Sequence, residues 1–182
     1  MRFLPTTLRD VVLVEPRVHG DERGYFMETW HRERFAQAGI DCQFVQDNHS
    51  RSARGVLRGL HYQLRQTQGK LLRVVAGRAY DVAVDVRRSS PTFGRWVGVE
   101  LSAENQRQLW VAPGFAHGFL SLSDGTELLY KCTDFYAPEH ERCILWSDPA
   151  LGIDWPLAGV GAPQLSARDA TGTLLAEAEV FA

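Results

Sequence analysis

No apolar run in this 182-residue sequence approaches the roughly 20 residues needed to cross a bilayer. Residues 1–5 (Met-Arg-Phe-Leu-Pro) carry neither an apolar signal core nor a cleavage pattern, so no secretory leader is expected. Cysteine is scarce. Cys42, Cys132 and Cys143 form an odd set without CxxC spacing, which argues against a disulfide frame or a zinc site and for reduced thiols in the cytoplasm. Charge of one sign is also lacking. Twenty basic and 22 acidic side chains leave a net charge of −2, so no global field favours nucleic acid or an anionic membrane. Any anion must therefore meet a local cluster of Arg and Lys. GxGxxG, a Walker loop, internal repeats and Gly/Ser linkers are all missing. What remains is 45% hydrophobic and 23% charged, an ordinary soluble composition whose length fits one domain, residues 1–182.

Short strand patterns recur between Gly, Pro, Asp and Ser punctuation. Strands are expected over 11–14, 44–50, 80–86, 96–101, 109–111, 118–122, 127–133 and 143–146. Residues 20–24 and 89–92 read as turns, 25–30 as extended chain, and 149–163 as a loop. In 80–86 the Tyr/Val face packs, and Asp81, Ala83 and Asp85 share the other face. One good short helix is expected over 31–38, ended by Gly39 at C′. A second is expected over 173–181. Many short strands and few helices argue an all-β sandwich or barrel.

Three side chains suggest chemistry. His61 lies in Leu57-Arg58-Gly59-Leu60-His61-Tyr62-Gln63, Lys70 follows Gly69, and Tyr130 follows Leu129. Each alone reads as structural: a satisfied histidine, a solvated lysine, a packing tyrosine. Together, on separate strand-like segments, they can abstract a proton, steady an oxyanion and return a proton. That set suits a carbon next to a carbonyl. Arg58, three residues before His61, needs an anionic partner or ligand if buried. Arg51, Arg54, Arg87 and Arg88 read most simply as solvated charges.

The motifs continue along the chain. They include Gly20-Asp21-Glu22-Arg23-Gly24-Tyr25-Phe26-Met27-Glu28, Gln46-Asp47-Asn48-His49-Ser50, Pro113-Gly114-Phe115-Ala116-His117-Gly118, Tyr136-Ala137-Pro138-Glu139 and Leu165-Ser166-Ala167-Arg168-Asp169. With the His61 and Lys70 segments they cover nearly the whole chain, which resembles the nucleotide-sugar 3,5-epimerases of deoxysugar synthesis. The resemblance implies a cupin-type jelly roll, a homodimer, no cofactor and a dTDP-4-keto-6-deoxysugar substrate. It implies His61 as the base, Asp169 as its orienting carboxylate, Tyr130 as the acid on the other sugar face and Lys70 at the enolate oxygen. Arg23, Phe26, Glu28, Gln46, Asn48, Arg58, His117, Glu141 and Arg168 match substrate contacts, and Tyr136 matches the aromatic that stacks on the base. Many relatives have Lys where this chain has Arg168; a guanidinium still serves a diphosphate.

Some alternatives stay open. His117 serves either the ligand or the architecture, with Asp81 placed to support it. Its setting resembles the second metal motif of other cupins, but the chain has no His-x-His, so no metal is expected. An epimerase of C3 or C5 alone needs the same base. A sugar-binding cupin without catalysis would not need the His61, Lys70, Tyr130 and Asp169 set. Uracil would stack on Tyr136 nearly as well as thymine.

Overall fold

A computed structural model describes residues 1–182. The chain runs β1 (Arg2–Pro5), β2 (Val11–Glu15), β3 (Val18–Asp21), β4 (Gly24–Met27), α1 (Arg32–Gln37), β5 (Gln46–Ser52), β6 (Leu57–Gln63) and β7 (Lys70–Ala76). It continues with β8 (Arg78–Asp85), β9 (Trp96–Ser102), β10 (Gln108–Val111), β11 (Phe115–Ser121) and β12 (Thr126–Cys132). A 3-10 turn (Pro138–His140), β13 (Glu141–Cys143) and α2 (Ala167–Ala170) complete it. One sheet has the order β1-β2-β10-β7-β12-β5, the other β13-β6-β11-β8-β9, and β3-β4 form a separate hairpin. The ladders within the sheets are antiparallel. This is the all-β, cupin-type jelly roll expected from the strand spacing and the resemblance.

Three apolar layers hold the sandwich. Between the sheets, Val11, Leu72, Val74, Leu109 and Leu128 meet Ala79, Ala83, Leu101, Phe115 and Phe119. Helix α1 puts Phe35, with Ile40 just beyond it, over Val14, Leu71 and Trp110 on the outside of the first sheet. The C-terminal segment lays Leu151, Trp155 and Leu175 over Leu57, Val82, Val84 and Leu120 on the outside of the second. Covering both faces explains why β10 and β11 are buried along their whole length.

The same covering refines the reading of β8. Its Val face packs as expected, but the face with Asp81, Ala83 and Asp85 is also buried, because it lies between the sheets. Both carboxylates are therefore partnered. Asp81 binds His117, and Asp85 accepts from Arg87, Ser90 and Thr92 at 2.6–2.7 Å. Burial alone would raise the Asp85 pKa; these donors outweigh it and lower it to about 2. Arg87 is accordingly not a solvated charge but a half-buried cation bridging Asp85 and Asp10, stacked 4.5 Å above the Phe115 ring.

Helix α1 forms as expected and stops at Ala38, with Gly39 at φ +85°. The helix expected over 173–181 does not form. Thr173 bridges to Ile144 and Phe181 to Arg87. Leu175, Ala178, Val180 and Phe181 instead spread over the second sheet, so tertiary packing overrides local propensity. A one-turn helix, α2, lies earlier, capped by Ser166, whose Oγ accepts from Asp169 N–H at 3.1 Å.

Candidate active site

The site sits between the sheets at one end of their strands. Gln46 opens β5, Lys70 opens β7, Glu141 opens β13, and Gln63 closes β6. Register sets Cys132 beside both Gln46 and Lys70, and Glu141 opposite Gln63. Two residues further in come Asn48, His61 and Tyr130. Together with Thr67, Gln68 and Tyr136 these residues line a cavity of about 350 Å³.

A close approach of backbones places His61. Gly59 on β6 crosses Gly118 on β11 so tightly that a Cβ on Gly118 would lie 2.6 Å from the Arg58 carbonyl oxygen. One on Gly59, at φ +125°, would lie 2.5 Å from the Gly118 Cα. Glycine at both positions lets β6 pack against β11, with His61 opposite His117. The His61 ring then donates from Nε2 to Asp169 Oδ1 at 2.6 Å. Asp169 is buried, and it also accepts from Ser166 Oγ at 2.7 Å and from Gly59 N–H at 3.3 Å. Burial alone would raise its pKa, but the bonds from His61, Ser166 and Gly59 outweigh it and hold the carboxyl below its ordinary range. The carboxylate is thus fixed as an acceptor, and it leaves His61 Nδ1 as the ring nitrogen available to a ligand.

Lys70 and Tyr130 line the same cavity. Burial lowers the Lys70 pKa, against the opposing pull of Cys132, Glu141 and Asp81. Burial also raises the Tyr130 phenol, with a further push from Cys132, while the Arg58 charge pulls it back. Tyr136 is half exposed at the rim and donates to Glu141 Oε2 at 2.7 Å. Arg168 binds the same oxygen, and Glu141 Oε1 faces His61 Nδ1 at 4.0 Å. Gln46 links Asn48 to the backbone of Tyr136: its Nε2 donates to Asn48 Oδ1 at 3.0 Å and its Oε1 accepts from Tyr136 N–H at 2.8 Å.

Other expected residues are not among those that line the cavity. Arg58 is exposed and donates to Ser52 Oγ. His117 is buried behind His61 and donates to Asp81 Oδ1 at 2.9 Å, the support foreseen for it. Arg23, Phe26 and Glu28 lie on or just after the β3–β4 hairpin, where Arg23 pairs with Asp21 and Glu28 with Arg34. None of these three lines the cavity of its own chain.

Sequence reasoning missed Ser166, which clamps Asp169, and Gln63, whose amide holds the rim by donating to the carbonyls of Gln66 and Phe135 and accepting from Ala137 N–H. It also missed Cys143, which with His61 and Asp169 puts three donor atoms within 4.8 Å of one another. That trio suits a metal poorly. The His61 and Asp169 atoms are already bonded to each other, and burial, reinforced by the Asp169 charge, pushes the Cys143 thiol up to about 12.

A jelly roll with a histidine–carboxylate pair, a lysine and a tyrosine around one cavity defines an acid/base isomerase of the cupin type. Residues 5–177 match the dTDP-4-dehydrorhamnose 3,5-epimerase family. The dTDP-4-dehydrorhamnose 3,5-epimerase of Pseudomonas aeruginosa is 60% identical over 182 residues, covering 100% of this chain and 99% of that one. A dTDP-6-deoxy-D-glucose-3,5-epimerase from Legionella pneumophila, solved with dTDP-4-keto-L-rhamnose, superposes with a TM-score of 0.95 at 52% identity, over 98% of this chain and 94% of that one. The Bacillus anthracis enzyme, solved with TDP and pyrophosphate, gives 0.91 at 44%, over 95% and 98%. The chain belongs to the dTDP-4-dehydrorhamnose 3,5-epimerase family, and it is an isomerase.

Proposed function

We propose that this cavity inverts C3 and C5 of dTDP-4-keto-6-deoxyglucose, giving dTDP-4-keto-L-rhamnose for deoxysugar synthesis in the cytoplasm. Both carbons flank the C4 carbonyl, so loss of either hydrogen gives an enolate with its charge on the C4 oxygen. His61 takes the proton through Nδ1. Asp169, bonded to Nε2–H, holds the tautomer and stabilises the imidazolium that forms. The Lys70 ammonium faces the C4 oxygen and stabilises the charge as it develops. Tyr130 returns a proton from the opposite face, and that change of face is the inversion. The observation that carries this reading is the 2.6 Å His61–Asp169 bond beside Lys70 and Tyr130 in one cavity.

The nucleotide half is held at the rim. Tyr136 stacks on the base, Arg168 and Arg58 meet the diphosphate, and Gln46 and Asn48 take hydroxyl or base groups. Charge-assisted contacts of this kind contribute about 1.5–3 kcal/mol each. Arg23, Phe26 and Glu28 would serve the neighbour's site in a homodimer, since none of them lines the cavity of its own chain. Proton NMR of the protein with dTDP-4-keto-6-deoxyglucose in D₂O tests the reading. Deuterium at both C3 and C5 is expected. Deuterium at one carbon would make it a single-position epimerase, and deuterium at neither would refute the epimerase reading.

A further inference from the structure

Epimerising two carbons with one base raises a problem of protons. After the first abstraction His61 carries a proton that came from carbon. It must lose that proton before it can attack the second carbon, while the sugar nucleotide still fills the cavity. The groups facing His61 are few. Asp169 of α2 occupies Nε2 at 2.6 Å. Cys143, opposite His61 in β13, carries a thiol pushed up to about 12 by burial and the Asp169 charge, so it stays protonated and cannot accept. His117 of β11 is buried, with Nε2 committed to Asp81. Lys70 and Tyr130 line the same cavity and are committed to the substrate.

The remaining group is Glu141. Its Oε1 lies 4.0 Å from His61 Nδ1, the nitrogen that receives the proton. Its Oε2 is held by the Tyr136 hydroxyl and by Arg168, both at the solvent-facing rim. The carboxylate thus lies between the partly buried ring and the rim, with its other oxygen 4.0 Å from Nδ1.

We propose that Glu141 is the proton relay that resets His61 between the two epimerisations, acting through His61 rather than on the sugar. This rests on His61 being the base. A small rotation brings Oε1 within hydrogen-bond reach of Nδ1. The Nδ1–H bond breaks, an O–H bond forms on Oε1, and the ring returns to neutral imidazole with Nε2–H still on Asp169. The Glu141 carboxylic acid then gives its proton to water at the rim and is a carboxylate again. One substrate proton has reached solvent. Tyr130, which gave a proton to the other face, recovers one from solvent, so the protein ends unchanged.

The test is Glu141→Gln, which keeps the shape and the rim contacts but removes the acceptor for a proton. At saturating substrate in D₂O, deuterium entry is followed separately at C3 and C5 by proton NMR. Expected is a first exchange within a few-fold of wild type and a second slowed by about a hundred-fold or more, the lower end of what one acid/base group supplies. Added formate or imidazole, small enough to ferry a proton, should restore the second exchange in proportion to its concentration. Equal slowing of both exchanges with no response to either buffer would overturn the proposal and leave Glu141 a binding residue. So would an unchanged ratio at full rate. If the glutamine variant loses its fold by circular dichroism, Glu141→Asp carries the same test, since its carboxylate is drawn back from Nδ1. His61→Asn run alongside separates the two claims. Its exchange at both carbons must vanish for the base assignment to hold, whatever Glu141 does.

Discussion

Lys70 and Tyr130 feel the same burial with opposite consequences. Burial disfavours charge, so it lowers the ammonium of Lys70 and raises the phenol of Tyr130. In the proposed mechanism a cation at the enolate oxygen and a protonated phenol on the other face coexist for turnover. As pH rises, the buried Lys70 ammonium loses its proton below its ordinary range, while burial holds the Tyr130 phenol protonated above its own. The alkaline limb of kcat against pH is therefore expected below the ordinary lysine value of about 10.4 and to belong to Lys70. Lys70→Arg, whose guanidinium stays charged, should remove that limb while lowering the rate at neutral pH through imperfect fit. An unchanged limb in the arginine variant would assign it elsewhere. At this scale much of the site was legible. His61, Lys70 and Tyr130 stand in distinctive motifs, and each stands at the cavity. Asp169 was reached only through the resemblance, because 108 residues separate it from its histidine. Ser166 gave no signal, since a lone serine before Ala-Arg-Asp reads as an ordinary cap until the carboxylate it clamps is seen.

Among the elements, the crossing of β6 over β11 sets the position of His61. Gly118→Ala adds one methyl carbon 2.6 Å from the Arg58 carbonyl oxygen, a backbone atom that cannot swing aside. Either the strands part or the ladder slips, and His61 moves with β6. A loss of about 1–3 kcal/mol is expected from overpacking of this kind, read as a lower denaturant midpoint. The folded fraction should also turn over more slowly than wild type. A variant with wild-type midpoint and rate would show that the contact is not needed. Strand periodicity made most of the ladder readable, and Gly39 marked the end of α1. The C-terminal segment was misread as helix because its apolar residues are placed for a curved sheet surface rather than one helical stripe. The Arg87 ion pair was missed because its partners, Asp10 and the Asp85 carboxylate beneath the loop, meet only in three dimensions.

For the whole molecule, both sheets are covered on the outside, yet the β3–β4 hairpin stands free with Tyr25 63% and Phe26 73% exposed. Exposed aromatics on a projecting hairpin suit contact with a second copy. Light scattering at micromolar concentration is expected to give a dimer mass, with Phe26→Asp lowering both the mass and the activity. A fully active monomer would remove Arg23, Phe26 and Glu28 from the site. The central claim is that one imidazole, held by Asp169, removes the protons of this reaction, and His61→Asn tests it most directly. In D₂O with dTDP-4-keto-6-deoxyglucose, the asparagine variant should take up no deuterium at C3 or C5, while its far-UV circular dichroism and its calorimetric affinity for dTDP match wild type. A folded, dTDP-binding variant that still exchanged either position at near wild-type rate would contradict the account.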